Sequence, residues 1–226
     1  MSLILSIDTS ISSATVVLHD SFEVLSIQKL LSDESISEKI TQLIQKALSE
    51  SEKALSDLSA IAINTGPGSY TSLRVGFSSA KGLCYVLKIP LIGLDTFEIL
   101  YSASFDQKNN FDAIICMVDA RRMDAYVRIY NSSGENTAET EFITFDQNFV
   151  HRFQNQKILC IGDGAVKLQG SEILPPTWQI SKIIQHAEHM VSLSTNKYAS
   201  ECFLDVAYSV PYYFKQPNIT TPKHTF

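Results

Sequence analysis

The chain has no C-x-x-C pair, and its four cysteines, Cys84, Cys116, Cys160 and Cys202, stand far apart in apolar surroundings. That excludes a disulfide scaffold and a thiolate zinc cage, and predicts buried, reduced thiols in a cytoplasmic protein. No run of about 18 apolar residues occurs, so no helical membrane span is expected. No charged leader followed by a short apolar run marks a secretory signal. Positive charge is also scarce: 18 Lys and Arg against 24 Asp and Glu leave a net charge of −6. Affinity for nucleic acid comes largely from phosphate neutralisation, so a chain this acidic is not expected to hold RNA unaided. Arg121-Arg122, with Arg128, is a local basic cluster and the candidate RNA contact. The H-E-x-x-H and G-x-S-x-G patterns are missing, which argues against a zinc protease and a serine hydrolase of those types. His186-x-x-His189 sits on a predicted helix at a spacing that shares one face. No third ligand is evident nearby, so no metal site is expected there.

What is present begins with Gly66-Pro67-Gly68-Ser69-Tyr70-Thr71-Ser72-Leu73-Arg74. It follows an apolar strand, Ile61-Ala62-Ile63, and opens a long amphipathic segment. Two glycines allow a sharp turn and close approach to a ligand, Pro67 fixes one φ, and Ser69 or Thr71 can cap the helix. A glycine turn at a helix N-terminus is either a plain connection or an anion site. Asp8, Thr9, Gly66, Gly68 and Ser69 are therefore the candidate nucleotide- or anion-binding residues.

With 226 residues and 45% hydrophobic content the chain can bury one large core or two small ones. Residues 3–7, 14–18 and 24–27 read as strands, 35–50 as a helix opened by the capping-box pattern Ser35-x-x-Glu38, and 61–64 as a further strand. A second helix follows over 70–87, a strand over 89–94, and a third helix opened by Asp95-x-x-Glu98. This is an α/β pattern. The opening repeats later. Ile4-Leu5-Ser6-Ile7-Asp8 before Ala14-Thr15-Val16 matches Ile115-Cys116-Met117-Val118-Asp119 before Ala125-Tyr126-Val127, and a second strand–glycine turn comes at 158–165. A duplicated fold is expected, divided in the polar stretch 102–110: a first domain over 1–103, a smaller second domain over 104–210, and a tail, about 211–226, returning to the first.

Two helical stripes stand out. Ile36, Ile40, Leu43, Ile44, Ala47 and Leu48 line one face of the first helix, and Leu73, Phe77, Ala80, Cys84 and Leu87 one face of the second. Such faces pack a core, and any surplus is a candidate partner surface. The residues leave open a small ATPase or kinase using Asp8, Asp119 and the glycine turns at 66–68 and 162–164. The glycine usual after the second carboxylate is replaced by Ala120. A metal-dependent glycoprotease-like hydrolase is a further alternative, short of a third ligand.

Taken together, Ile4 to Ser10, Ala14 to Leu18, the Gly66–Arg74 run, Ala80-Lys81-Gly82-Leu83, Ile89-Pro90-Leu91 and Val118-Asp119-Ala120-Arg121-Arg122 resemble the TsaB (YeaZ) family. The resemblance covers about residues 1–130 strongly and the last third weakly. It implies an actin-like, ribonuclease-H-like duplicated fold. It also implies a non-catalytic scaffold for a TsaD-like subunit that transfers a threonylcarbamoyl group to N6 of adenosine 37 in tRNA. A TsaE-like ATPase would reset that complex, with ATP or ADP and Mg²⁺ in the assembly and no intrinsic cofactor of this chain. The partner interface it implies comprises Ile36, Ile40, Leu43, Ala47, Leu73, Phe77, Ala80, Lys81 and Cys84, a surface that pairs two copies as a homodimer when the chain is alone. The sequence departs from the family pattern at Ser72, Ile36 and Gln42.

Overall fold

The computed structural model describes residues 2–11, 13–30, 34–104, 110–137, 139–184 and 186–214. Five strands form the first sheet: β1 (Leu3–Asp8), β2 (Thr15–Asp20), β3 (Glu23–Lys29), β4 (Ala60–Gly66) and β5 (Leu91–Asp95), in the order β3-β2-β1-β4-β5. β1 pairs antiparallel with β2 and parallel with β4, so β1 is central. Every residue of its run LILSID is buried, as expected of a strand covered on both faces. Edge strand β3 exposes Val24, Leu25 and Ile27.

The second sheet repeats the first. Its strands are β6 (Ala113–Asp119), β7 (Asp124–Asn131), β8 (Glu141–Thr144), β9 (Ile158–Ile161) and β10 (Trp178–Ile180), in the order β8-β7-β6-β9-β10, with the same strand senses. This is the duplicated actin-like, ribonuclease-H-like fold. Asp8 and Asp119 end equivalent central strands.

Helices α1 (Ile36–Glu50) and α2 (Tyr70–Leu87) cover one face of the first sheet, where their stripes join Leu5, Ile7, Val16, Ile61 and Ile63 in one core. Helix α3 (Thr96–Ala103) starts the opposite layer. Its capping box forms: the Phe97 N–H donates to Asp95 Oδ1 at 2.7 Å and the Asp95 N–H to Glu98 Oε2 at 3.4 Å. The Ser35–Glu38 box does not form; the Ser35 hydroxyl pairs with that of Ser37. Ser69 stands at the start of α2 without a side-chain cap bond, its hydroxyl paired with that of Ser72. The second lobe carries the short helices α4 (Gln147–His151) and α5 (Asp163–Val166) and an aromatic core of Phe145, Phe149, Phe153 and Trp178.

The chain returns to the first lobe earlier than its composition implies. A 3-10 turn, Ala187–Met190, and α6 (Val191–Ala199) pack on the free face of the first sheet against Ile4, Val17, Ala62, Ile92 and Leu94. Leu204 then bridges to Leu91, and the Tyr212 N–H donates to Thr65 O at 2.7 Å. Residues 187–199 and Leu204, expected in the second domain, thus pack on the first sheet. The reason is that the first sheet has only α3 on that face and needs a second apolar cover. Residues 215–226 of the expected tail lie outside the described residues. His186 precedes the 3-10 turn and is not on a helix. Cys202 is exposed, against the expectation of four buried thiols; the other three are buried.

The two lobes meet across α3. Phe97 and Leu100 pack on the second sheet with Ile114, Cys116, Val118, Leu159 and Ile161. Beside them Arg128 grips Asp95 with two bonds, Nη1–Oδ1 and Nη2–Oδ2, each 3.0 Å, and stacks 4.7 Å over the Phe97 ring. Arg128→Ala leaves the half-buried Asp95 carboxylate without its counter-ion and is expected to cost about 3 kcal/mol in urea unfolding. A loss near zero would show that water replaces the guanidinium.

His19 latches the returning α6. Its Nδ1–H donates to Ser21 O at 2.8 Å, while Nε2 lies 3.1 Å from Ser6 Oγ and 3.2 Å from Ser194 Oγ. Burial lowers its pKa below the ordinary 6.5. The unfolded chain therefore takes up this proton first, and the stability held above pH 6.5 is lost as pH falls below it. Unfolding at pH 7.5 and 5.5 is expected to show that loss, and His19→Gln to flatten part of it. His186 and His189 shift in the same direction and supply the remainder.

Candidate functional site

The glycine turn, the end of β1 and the start of α3 form one hydrogen-bonded knot. Asp8 Oδ1 accepts from the Ser10 N–H at 2.8 Å and from Asn64 Nδ2 at 3.2 Å. Asn64 Oδ1 accepts from the Gly66 N–H at 2.8 Å and lies 2.8 Å from Thr96 Oγ1, whose proton it shares with Pro67 O at 2.7 Å. The sequence reading missed Asn64 and Thr96. Their signal was weak: one polar residue late in an apolar strand and one at a helix start.

The backbone of this knot packs closely on itself. Gly68 lies so close to Ser10 that a Cβ there would overlap the Ser10 carbonyl oxygen, and the Ser69 N–H donates to that same oxygen at 2.7 Å. Gly66, at φ 99°, is covered by Tyr212 O, 2.9 Å from where its Cβ would stand. Gly76 of α2 meets Thr9 Oγ1. Asp8, Thr9 and Ser10 are buried. The turn packs on the chain's own carbonyls, and the Ser69 N–H is spent on one of them.

The second lobe behaves likewise. Gly162, at φ 103°, abuts Met117 O, and Gly164 packs on the same strand end. The Asp119 carboxylate is already engaged, by Lys167 Nζ at 2.6 Å and the Arg121 N–H at 2.7 Å. His186 and His189 have ring centroids 6.4 Å apart, and among the described residues no group of three His, Cys, Asp or Glu could hold a metal ion.

Asp8 Oδ2, Thr9 Oγ1 and Ser10 Oγ are buried with no hydrogen-bond partner among the described residues. Burial raises the Asp8 pKa above its ordinary 3.8, against the bonds from Ser10 and Asn64 that lower it. A raised folded-state pKa means stability present below about pH 4 and lost as pH rises through the folded value. Asp8→Asn keeps the acceptor for Ser10 and Asn64 and cannot ionise. It is expected to raise stability at pH 7 and to add little at pH 3.5, in paired denaturant titrations. A destabilised variant at pH 7 would show that the carboxylate charge holds the knot.

The helix residues expected at a partner surface are mostly core. Ile36, Ile40, Ala47, Leu73, Phe77, Ala80 and Cys84 are buried against the first sheet and Leu43 is half-buried. Their stripe was a real signal, but of sheet packing: one amphipathic face is what a covering helix needs. Lys81 Nζ donates to Ala207 O at 3.1 Å and Ser209 O at 2.8 Å, clamping the returning segment to α2. Arg121 and Arg122 are exposed at the β6–β7 tip, whereas Arg128 is committed to the lobe junction.

A different apolar surface stays open. On α2, Tyr85 is 80% and Val86 74% exposed; on the clamped segment, Tyr208 is 85% and Val210 72% exposed. Between the two runs a groove of about 590 Å³ lined by Cys84, Tyr85, Val86, Lys88, Ile89 and Val206. One turn earlier on α2, Gly82 has open space where a Cβ would stand. The signal in the sequence was large apolar residues falling off the Leu73–Leu87 stripe.

The chain matches the family model described as "TsaD: tRNA N6-adenosine threonylcarbamoyltransferase" over residues 30–224. It is 31% identical over 123 residues to the tRNA threonylcarbamoyladenosine biosynthesis protein TsaB of Escherichia coli (strain K12), covering 54% of this chain and 52% of that one. To the protein of the same name from Buchnera aphidicola subsp. Schizaphis graminum it is 30% identical over 173 residues, 74% of this chain and 81% of that one. In fold it is similar to YeaZ from Pseudomonas aeruginosa, with a TM-score of 0.77 at 20% identity over 94% of this chain and all of that one.

Proposed function

This chain belongs to the TsaB (YeaZ) family, within the range of the TsaD family model, and from that premise we propose that it is the non-catalytic scaffold of a tRNA threonylcarbamoyladenosine-forming assembly. Its partner is a TsaD-like catalytic subunit, and the contribution of this chain is binding free energy between folded surfaces. A TsaE-like ATPase acts on the same cytoplasmic assembly, and any ATP, ADP or Mg²⁺ requirement belongs to the assembly.

The observation that carries the reading is the open face of α2. A glycine inside an exposed helix costs about 1 kcal/mol relative to alanine. Gly82 recovers none of that within the chain, since nothing lies near it. A partner helix approaching closely at Gly82, with Tyr85, Val86, Tyr208 and Val210 as its apolar neighbours, gives the glycine a purpose and covers the surface. The same face pairs two copies when the chain is alone. A glycoprotease-like reading needs a third metal ligand, and among the described residues no group of three His, Cys, Asp or Glu could hold a metal ion.

The test is light scattering and titration calorimetry of this chain with the TsaD-like protein of the same organism. Val86→Glu and Gly82→Trp are expected to weaken a one-to-one complex by about 100-fold or more, on the scale of interface hot spots. Gly82→Ala is expected to stabilise the isolated chain by about 0.5–1 kcal/mol. A complex of unchanged affinity with both bulky variants would remove α2 from the interface.

A further inference from the structure

The β6–β7 hairpin tip has a construction that neither packing nor the scaffold role explains. Arg121 has φ 72° and Arg122 φ 50°, two successive left-handed residues. Glycine, asparagine or aspartate would hold that backbone at lower cost. Both arginines are exposed, and no hydrogen bond or ion pair from either guanidinium is present among the described residues. The backbone beneath them is held firmly. All three protons of the Lys167 ammonium have acceptors: Asp119 Oδ1 at 2.6 Å, Arg122 O at 2.8 Å and Asp124 O at 2.8 Å. The Arg121 N–H donates to Asp119 Oδ1, and the Asp124 N–H to Arg121 O at 3.0 Å. The nearby Asp119 charge is matched by Lys167, while the Asp124 carboxylate at the base of the tip accepts from the Thr144 hydroxyl and that of Asp163 from the Asp119 N–H.

We propose that Arg121 and Arg122 form a preorganised contact for the phosphate backbone of RNA. The inference rests on the reading that this chain works in a tRNA-modifying assembly, and it identifies which part of the chain meets the substrate. The chain carries a net charge of −6, so its overall field repels a polyanion. Any contact must then be local, rigid and strongly directional. Two guanidinium forks on a fixed tip meet those conditions, since each matches phosphate geometry with paired N–H donors and stays charged at every physiological pH. Arg128, the third arginine of the cluster in sequence, cannot join them because both its terminal nitrogens are bound to Asp95.

The test uses the full chain, an RNA stem-loop of anticodon-arm size as probe, and two double variants, Arg121→Gln with Arg122→Gln and Arg121→Gly with Arg122→Gly. For the isolated chain at low salt, weak binding is expected by fluorescence anisotropy. Its salt slope should fall by about 1–2 in either double variant, one unit for each phosphate released. The glycine variant is expected to be at least as stable as the parent, which separates lost contact from lost fold. In the assembly with the TsaD-like protein, the variants should keep the protein partner and hold the RNA about tenfold more weakly. Equal RNA affinity and slope in parent and variants, or no RNA binding by the parent at low salt, overturns the proposal. Loss of the protein partner with RNA affinity intact overturns it too, and assigns the tip to an acidic protein segment. If no assembly forms with the parent chain, the scaffold reading fails, while the isolated-chain titration still decides this one.

Discussion

Asp95 does two jobs with one carboxylate. It caps α3 through the Phe97 N–H, and it receives both terminal nitrogens of Arg128 from the opposite lobe. The helix it starts is the element that both lobes share, since Phe97 and Leu100 lie in the second lobe's core while Ile99 lies in the first's. The start of α3 and the angle between the lobes are therefore set by the same group. A charge pair that is only partly exposed is costly to desolvate, and it repays that cost through geometry, since two parallel bonds permit a narrow range of orientations. Burial still raises the Asp95 pKa against the pull of Arg128, the mark of a carboxylate held where its solvation is poor.

The duplicated topology was legible in the sequence because it rests on spacing. Strand, aspartate, turn and strand recur in each half, and the sheets recur with them. The chemistry of the glycine turns was not legible, for a physical reason. A glycine is required wherever backbone must come closer than a Cβ permits, and the approaching group may equally be a ligand's phosphate or the chain's own carbonyl. Gly66, Gly68, Gly162 and Gly164 all answer to the second case. Only the position of Ser10 and Tyr212, far apart in sequence and both lodged at the first turn, separates the two.

The helix stripes show the same limit. Periodicity locates the buried face, and it did so correctly for Leu73, Phe77, Ala80 and Cys84. Exposed apolar surface is written in the residues that break the period, as Tyr85 and Val86 do. The return of the chain at Ala187 left little trace. Helix α6 is short, its buried residues Ser194 and Thr195 are polar, and its attachment runs through His19, Ser6 and Ser21, each unremarkable by itself. Arg128 illustrates the opposite error: grouped with Arg121 and Arg122 by sequence, it serves the lobe junction instead.

These features converge on rigidity. A nucleotide-driven machine of this fold needs a cleft that opens between its lobes, with loops free to close on phosphate. Here the lobes share a hydrophobic core across α3, and an arginine clamp closes the junction. Each of these raises the cost of relative lobe movement. What the chain offers instead is surface held in a fixed relation: the α2 face beside the Lys81-clamped segment on one lobe, and the arginine tip braced by Lys167 on the other. Fixing two surfaces before association lowers the conformational entropy lost on binding. A body stiffened in this way presents its two surfaces in a fixed relation to one another.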